Sequence, residues 1–265
     1  MKTSVAFLLL TAVAAPLRMA AQDAGLAATP VATPAAEPEV YERPVSWKTL
    51  IPNTASDQKD IWLFPRKLVH KKVLIPTLAV LGATAGLVAL DPKVSHYFRN
   101  TTSFSGFNRP FNGTATAYGT VAVPVAFYVA GMIRKDSKLT RTALLSAEAV
   151  GNVEILTIVF KDIDRRLRPA DVAPNGNFAD TWFDDNGRNF RSNGSFPSGH
   201  TIAAFAVATV ISRRYPHHRW LPYVAYGMAS LVGFSRVSLS SHFLSDVFMG
   251  GALGYSISRF TVLRQ

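Results

Sequence analysis

Apolar residues along this chain gather into helix-length blocks separated by short polar connections, many of them basic. From Trp47 onward the blocks run from Val73 to Leu90, Ala115 to Ile133, Thr142 to Phe160, Thr201 to Ile211, Leu221 to Phe234, and Phe243 to Val262. Period-two alternation is weak throughout, and two-residue hairpin turns between alternating runs are not evident. The pattern predicts an all-α protein, a helix bundle of about six core helices. Ahead of it, residues 1–22 read as a secretory signal peptide. Lys2 opens the segment, an apolar run follows from Val5 to Pro16, and Ala20 and Ala21 offer a small-residue cleavage point. The run is too short to cross a bilayer comfortably; an uncleaved anchor is the other reading. Residues 23–46 form an Ala/Pro-rich leader, and 47–265 the helical domain.

Composition sharpens this picture. Charged residues are only 17% of the 265, against about a quarter in an average chain, so the helices are buried in a core or in contact with a membrane. The net charge of +11 favours anionic partners: phosphorylated substrates, acidic lipid surfaces or nucleic acid. Nucleic acid is set aside, because the basic residues are dispersed among apolar helices with no reading helix or stacking platform. The absence of cysteine excludes disulfides, thiol catalysis and Cys-ligated zinc. Basic residues cluster on alternate connections: Arg66 to Lys72, Arg134 to Arg141, Arg213 to Arg219, and Arg259 to Arg264. Six membrane spans would produce that alternation. A cleaved signal would place those connections on the opposite side. The short fourth block, and Glu148 and Glu154 within the third, also count against spans. Membrane association is therefore expected either as spans or as an exported bundle resting on the periplasmic side of the membrane.

Three stretches carry chemistry. Lys161 to Pro169 (KDIDRRLRP) places Lys161 and Arg168 seven residues apart, two helical turns, with Pro169 marking a helix end. Ser195 to Thr201 (SFPSGHT) places a Pro-Ser-Gly turn before an apolar helix, where exposed N–H groups suit an anion. Ser235 to Asp246 (SRVSLSSHFLSD) places His242 and Asp246 four apart, so that they meet on one helical face. In an up-and-down bundle all three stretches fall at the same end. Phosphoryl transfer needs such a convergence of fixed cations around a nucleophile.

Lys161, Arg168, Pro169, Pro197, Ser198, Gly199, His200, Ser235, Arg236, His242 and Asp246 together reproduce, in order, a K-x6-R-P, P-S-G-H, S-R-x5-H-x3-D pattern. This resembles the signature of the type 2 phosphatidic acid phosphatase and vanadium haloperoxidase superfamily. The resemblance implies a metal-independent phosphatase. His242 would be the nucleophile that forms a phosphohistidine, and Asp246 would accept a hydrogen bond from its other ring nitrogen. His200 would be the general acid and then the general base. Lys161, Arg168, Arg236, Ser198 and Gly199 would hold the phosphate. No cofactor is implied. The apolar helices before the first motif favour a lipid-linked phosphomonoester or diphosphate over a small phosphate ester. A vanadium-dependent haloperoxidase and a non-catalytic envelope scaffold are the alternatives. The signature is silent on oligomeric state.

Weaker features remain. Arg165 and Arg166 line the phosphate entrance or face solvent, and Arg188 and Arg191 are candidate substrate contacts. Asp180, Asp184 and Asp185 read as a solvated loop rather than a metal site. Trp47, Trp62 and Trp182 read equally as interface anchors or core residues, and His217 and His218 as exposed.

Overall fold

The computed structural model describes residues 43–183 and 194–264. The signal peptide, most of the leader, and Asp184, Asp185, Arg188 and Arg191 lie outside the described residues. Among those described, all regular structure is helical: α1 (Leu50–Trp62), α2 (Lys71–Asn100), α3 (Ser105–Asn108), α4 (Gly113–Arg134), α5 (Ser137–Asp164), α6 (Gly199–Arg214), α7 (Leu221–Ser238) and α8 (Leu244–Ile257). The all-α bundle predicted from periodicity is what the chain forms, and α2 and α4 to α8 correspond to its six apolar blocks.

Local chemistry sets several ends. Asn112 accepts a hydrogen bond from the Ala115 amide (2.9 Å) and starts α4. Asp136 accepts from the Lys138 and Leu139 amides (2.8 and 3.2 Å) and starts α5. Lys135 and Arg165 end α4 and α5 in the left-handed conformation, at φ 53° and 44°. α2 departs from expectation by continuing ten residues past Leu90, through Pro92. A proline there removes the hydrogen bond to the Val88 carbonyl. Tertiary bonds to the adjacent Asp91 side chain hold this part of α2 in place: Ser245 and Arg166 both donate to it. α1 carries no long apolar run and was not foreseen. It lies on α5, where Asn53 donates to Glu148 and Gln58 to Asn152.

α5, α6 and α8 build the core from Leu145, Ala149, Val153, Leu156, Ile202, Ala206, Val210 and Ile257. α6 and α8 meet nearly backbone to backbone. A Cβ on Gly250 would lie 3.0 Å from the Ser198 carbonyl, and one on Gly254 would strike the Ile202 carbonyl. This contact fixes the start of α6 against the start of α8, where two of the three motifs lie. The periphery differs. α2 and α4 expose Ile75, Leu78, Leu81, Tyr118, Val121 and Val125, among others. Three helical segments, Lys71–Asn100, Gly113–Arg134 and Ser137–Asp171, are long and apolar enough to cross a membrane. The protein is thus membrane-associated by the character of its outer helices.

Candidate active site

Main-chain hydrogen bonds draw the three motifs together. The Ser195 amide donates to the Arg166 carbonyl (2.7 Å), the Ala170 amide to the Ser240 carbonyl (2.9 Å), and the Ser198 amide to the Asp246 carbonyl (3.1 Å). Each bond joins a different pair of motifs, so the loops lock one another at one end of the bundle. The sequence spacing reaches this result by a different local route. Lys161 and Arg168 do not share a helix: α5 stops at Asp164, and Arg168 is extended (φ −80°, ψ 151°). His242 likewise precedes α8 and lies in the loop after α7. Its amide donates to the Arg236 carbonyl at 3.1 Å, which ties the third motif into a compact turn.

His242 is 3% exposed, and its Nδ1 lies 2.6 Å from the Ser195 carbonyl oxygen. A carbonyl can only accept, so Nδ1 carries the proton and the ring lone pair sits on Nε2. The expected bond to Asp246 is replaced: the nearest carboxylate oxygen is 3.7 Å from Nδ1. That oxygen instead accepts from the Ser195 hydroxyl (2.5 Å) and the Phe243 amide (2.8 Å). Because His242 lies in a turn rather than on a helix, the four-residue spacing does not aim the two side chains at each other. Asp246 therefore acts on the imidazole at one remove, as a nearby negative charge and as the anchor of Ser195. Burial, opposed by Asp246 and reinforced by the cations Lys161 and Arg168, lowers the His242 pKa to about 4. The ring is neutral near pH 7, the state a nucleophile requires.

Around the histidines stand the cations. Gly199 opens α6, and a Cβ there would lie 3.8 Å from the Lys161 ammonium, which places that charge beside the helix N-terminus. Arg236, 2% exposed, is braced by the Ser235 hydroxyl (2.8 and 3.1 Å) and by the Phe111 carbonyl. Ser198 is buried at the N-cap of α6, with its hydroxyl 2.9 Å from that of Thr201. His200 Nε2 donates to the Gly113 carbonyl at 3.0 Å. Its pKa is lowered, by burial first and then by Arg236, with Lys161 and Arg168 adding to the effect. All eight residues assigned to the site, Lys161, Arg168, Ser198, Gly199, His200, Arg236, His242 and Asp246, thus lie at this end of the bundle. The arrangement is a cationic cage with two imidazoles, suited to a phosphate whose charge is redistributed in a transition state.

Arg166 is the largest departure from the sequence reading. It neither lines an entrance nor faces solvent. It is 1% exposed and lies between the rings of Trp182 and Phe243, at 4.2 and 3.9 Å from their centroids. Its guanidinium bridges Asp246 (2.5 Å) and Asp91 (2.7 Å) and also donates to Ser245 (2.7 Å). Asp91 lies in α2, far from every motif, and no local signal marks it. A run of two arginines inside a phosphate motif offers no clue to which one turns inward; the aromatic neighbours that receive it are distant in sequence. Trp182 is accordingly a partner of Arg166. Trp47 donates to the Tyr128 hydroxyl (2.6 Å) and Trp62 to Gln58 (3.1 Å).

Parts of this chain are similar to known proteins. A lipid A 1-phosphatase from Porphyromonas gingivalis is 43% identical over 61 residues, 23% of this chain and 14% of that protein. A phosphatidylglycerophosphatase B from Bacillus subtilis is 35% identical over 123 residues, 43% of this chain and 54% of that protein. The matches therefore span little more than half the length of the second relative and much less of the first. The crystal structure of a transmembrane PAP2-type phosphatidylglycerolphosphate phosphatase from Bacillus subtilis aligns over 79% of this chain and 94% of that one, at 20% identity and a TM-score of 0.40. The description of the PAP2 superfamily matches residues 142–265, a stretch that contains all three motifs. Residues 142–265 of this chain are thus similar to the PAP2 superfamily.

Proposed function

We propose that the protein is a phosphoric ester hydrolase that acts on a lipid-linked phosphomonoester or diphosphate through a phosphohistidine on His242. The observation that carries this reading is the His242 tautomer: Nδ1–H is fixed on the Ser195 carbonyl at 2.6 Å, which leaves a neutral ring with its lone pair on Nε2 amid Lys161 and Arg168. Nε2 attacks phosphorus, the ester P–O bond breaks, and His200 passes a proton to the departing alkoxide. Water then attacks the phosphohistidine, His200 takes its proton, and inorganic phosphate leaves. Lys161, Arg168 and Arg236 offset the charge of the equatorial oxygens throughout, the arginines with paired donors. Burial first, and then these same cations, lower the His200 pKa. An arriving phosphate dianion counters them and restores the proton that His200 must donate.

The exposed apolar faces of α2 and α4 support a substrate presented from a bilayer, as do relatives named for lipid A and phosphatidylglycerophosphate. The signal-like residues 1–22 support placing the site on the outer, periplasmic side. The test is phosphate release by detergent-purified protein in EDTA. Phosphatidate, phosphatidylglycerophosphate, undecaprenyl diphosphate and p-nitrophenyl phosphate serve as substrates, with a His242→Ala variant alongside. The expected result is EDTA-resistant release that falls by on the order of a thousandfold or more in the variant. No release from any substrate overturns the reading and moves halide oxidation with added vanadate, and then a scaffold role, to the front.

A further inference from the structure

Behind Asp246 lies a buried pair that the phosphatase chemistry leaves unused, Arg166 and Asp91, which with it form the chain Asp91–Arg166–Asp246. Asp91 and Asp246 are fully buried and Arg166 nearly so, and every link is short: Asp91 to Arg166 2.7 Å, Arg166 to Asp246 2.5 Å, Asp246 to the Ser195 hydroxyl 2.5 Å. Ser245 closes the figure, with its hydroxyl bonded to both Asp91 and Arg166 and its amide to Asp91 (3.1 Å). Removing a guanidinium from water is costly unless its partners are fixed, so this chain is not an incidental contact. Burial raises the Asp91 pKa, but the carboxylate accepts from the Ser245 hydroxyl, the Ser245 amide and Arg166, donors that favour its charged form; with both carboxylates ionised the cluster carries one negative charge, two carboxylates against one guanidinium. A neutral imidazole attacking phosphorus acquires one positive charge on its ring. The buried cluster therefore holds the charge that the ring needs in the transition state, and no more.

We propose, on the basis of the phosphohistidine reading, that Arg166 is a positioning residue for His242, acting through Asp246 and held in place by Asp91 of α2. It fixes the carboxylate whose other oxygen anchors Ser195, and the Ser195 carbonyl holds the His242 Nδ1 proton. It also limits the negative charge beside the imidazole to one unit, so that His242 stays neutral until it reacts. Burial would raise the Asp246 pKa, but Arg166 first, and then His242 and Ser195, bring it below the usual carboxylate range. The other charged groups facing this assembly are Lys161 and Asp164 of α5 and Arg168 of the following loop, with His200 of α6 and Arg236 of α7 across the cage.

The experiment is the pH profile of kcat/KM on phosphatidate in detergent micelles, for wild type, Arg166→Gln, Arg166→Lys and Asp91→Asn. Inhibition by inorganic phosphate is measured in parallel, and folding is checked by melting temperature and gel filtration. Arg166→Gln leaves the two carboxylates without their cation. Its kcat falls about tenfold or more, the loss seen when groups that orient catalytic ligands are removed. The extra negative charge favours the imidazolium, so the acid limb moves to higher pH, while inhibition by phosphate, held by other residues, stays within about twofold. Arg166→Lys keeps the charge, so the limb stays in place and part of kcat returns. Asp91→Asn removes the excess charge; kcat falls and the limb does not rise. Should Arg166→Gln not fold, the Lys and Asn variants decide: wild-type kcat in both overturns the inference. So do folded Arg166→Gln protein with an unmoved limb, and loss of folded protein with normal kcat in what remains. Wild-type inactivity on phosphatidate, phosphatidylglycerophosphate, undecaprenyl diphosphate and p-nitrophenyl phosphate alike would instead defeat the phosphatase reading itself.

Discussion

Two buried charge clusters meet along α5, and they are built differently. At the end of the helix, Asp91, Arg166 and Asp246 are almost completely enclosed, and the guanidinium is clamped between two aromatic rings. At its middle, Asp57 of α1 pairs with Arg43 (2.7 Å) and Arg264 (2.9 Å), and Arg43 also reaches Glu148 (3.1 Å). There the carboxylates are buried but the arginine side chains are 16% and 44% exposed. The second cluster pins the chain before α1 to α1 and α5 and the C-terminal segment to α1, and solvent reaches its cations. The first contains a catalytic candidate, Asp246, and encloses its cation. Similar residue types thus serve attachment in one place and charge control in the other, and the separating variable is enclosure of the cation.

That contrast can be broken from either side. The largest effect is expected from the cage next to the enclosed cluster. Arg236→Ala removes a guanidinium that Ser235 and the Phe111 carbonyl aim into the site. It should lower kcat/KM by roughly 10²–10³-fold, the cost of deleting one transition-state charge stabiliser, with little change in melting temperature. Steady-state kinetics on the preferred lipid checks this, and a loss below about threefold would remove Arg236 from the site. Asp57→Ala probes the open cluster and should do the reverse. It strips Arg43, Arg264 and the Asn152 amide of their shared acceptor and should cost about 3–4 kcal/mol, the lower part of the range for a broken buried pair because Arg264 can rehydrate. Denaturation in detergent measures it, and kcat of the folded fraction should be unchanged. The smallest effect is a matter of pH. With His242 lowered to about 4, the reactive neutral ring is present above that pH and lost as pH falls through it. The acid limb of kcat/KM should therefore lie well below the usual histidine range near 6.5. A limb at 6 or above would mean that the ring is less buried, or less governed by Lys161 and Arg168, than the cluster comparison holds.

The sequence by itself determined the helical class, because blocks of apolar residues of helix length with no alternation leave little else to form. It also named the candidate residues of the cage, because they match in order a signature whose resemblance implies those roles. It did not determine their geometry. Spacing suggested that Lys161 and Arg168 lie on one helix and that His242 faces Asp246 directly. In the fold, Arg165 turns left-handed and ends α5 early, and His242 rests in a turn where Ser195 holds its proton. Only the tertiary structure selected Arg166 over Arg165 as the buried cation, and only it brought Asp91 of α2 to meet that cation. The physical reason is that burial of a charge is decided by the partners that surround it, and those partners lie 75 and 80 residues away along the chain. Local periodicity reports which residues form helices; it contains no information about which distant carboxylate will compensate a guanidinium withdrawn from water.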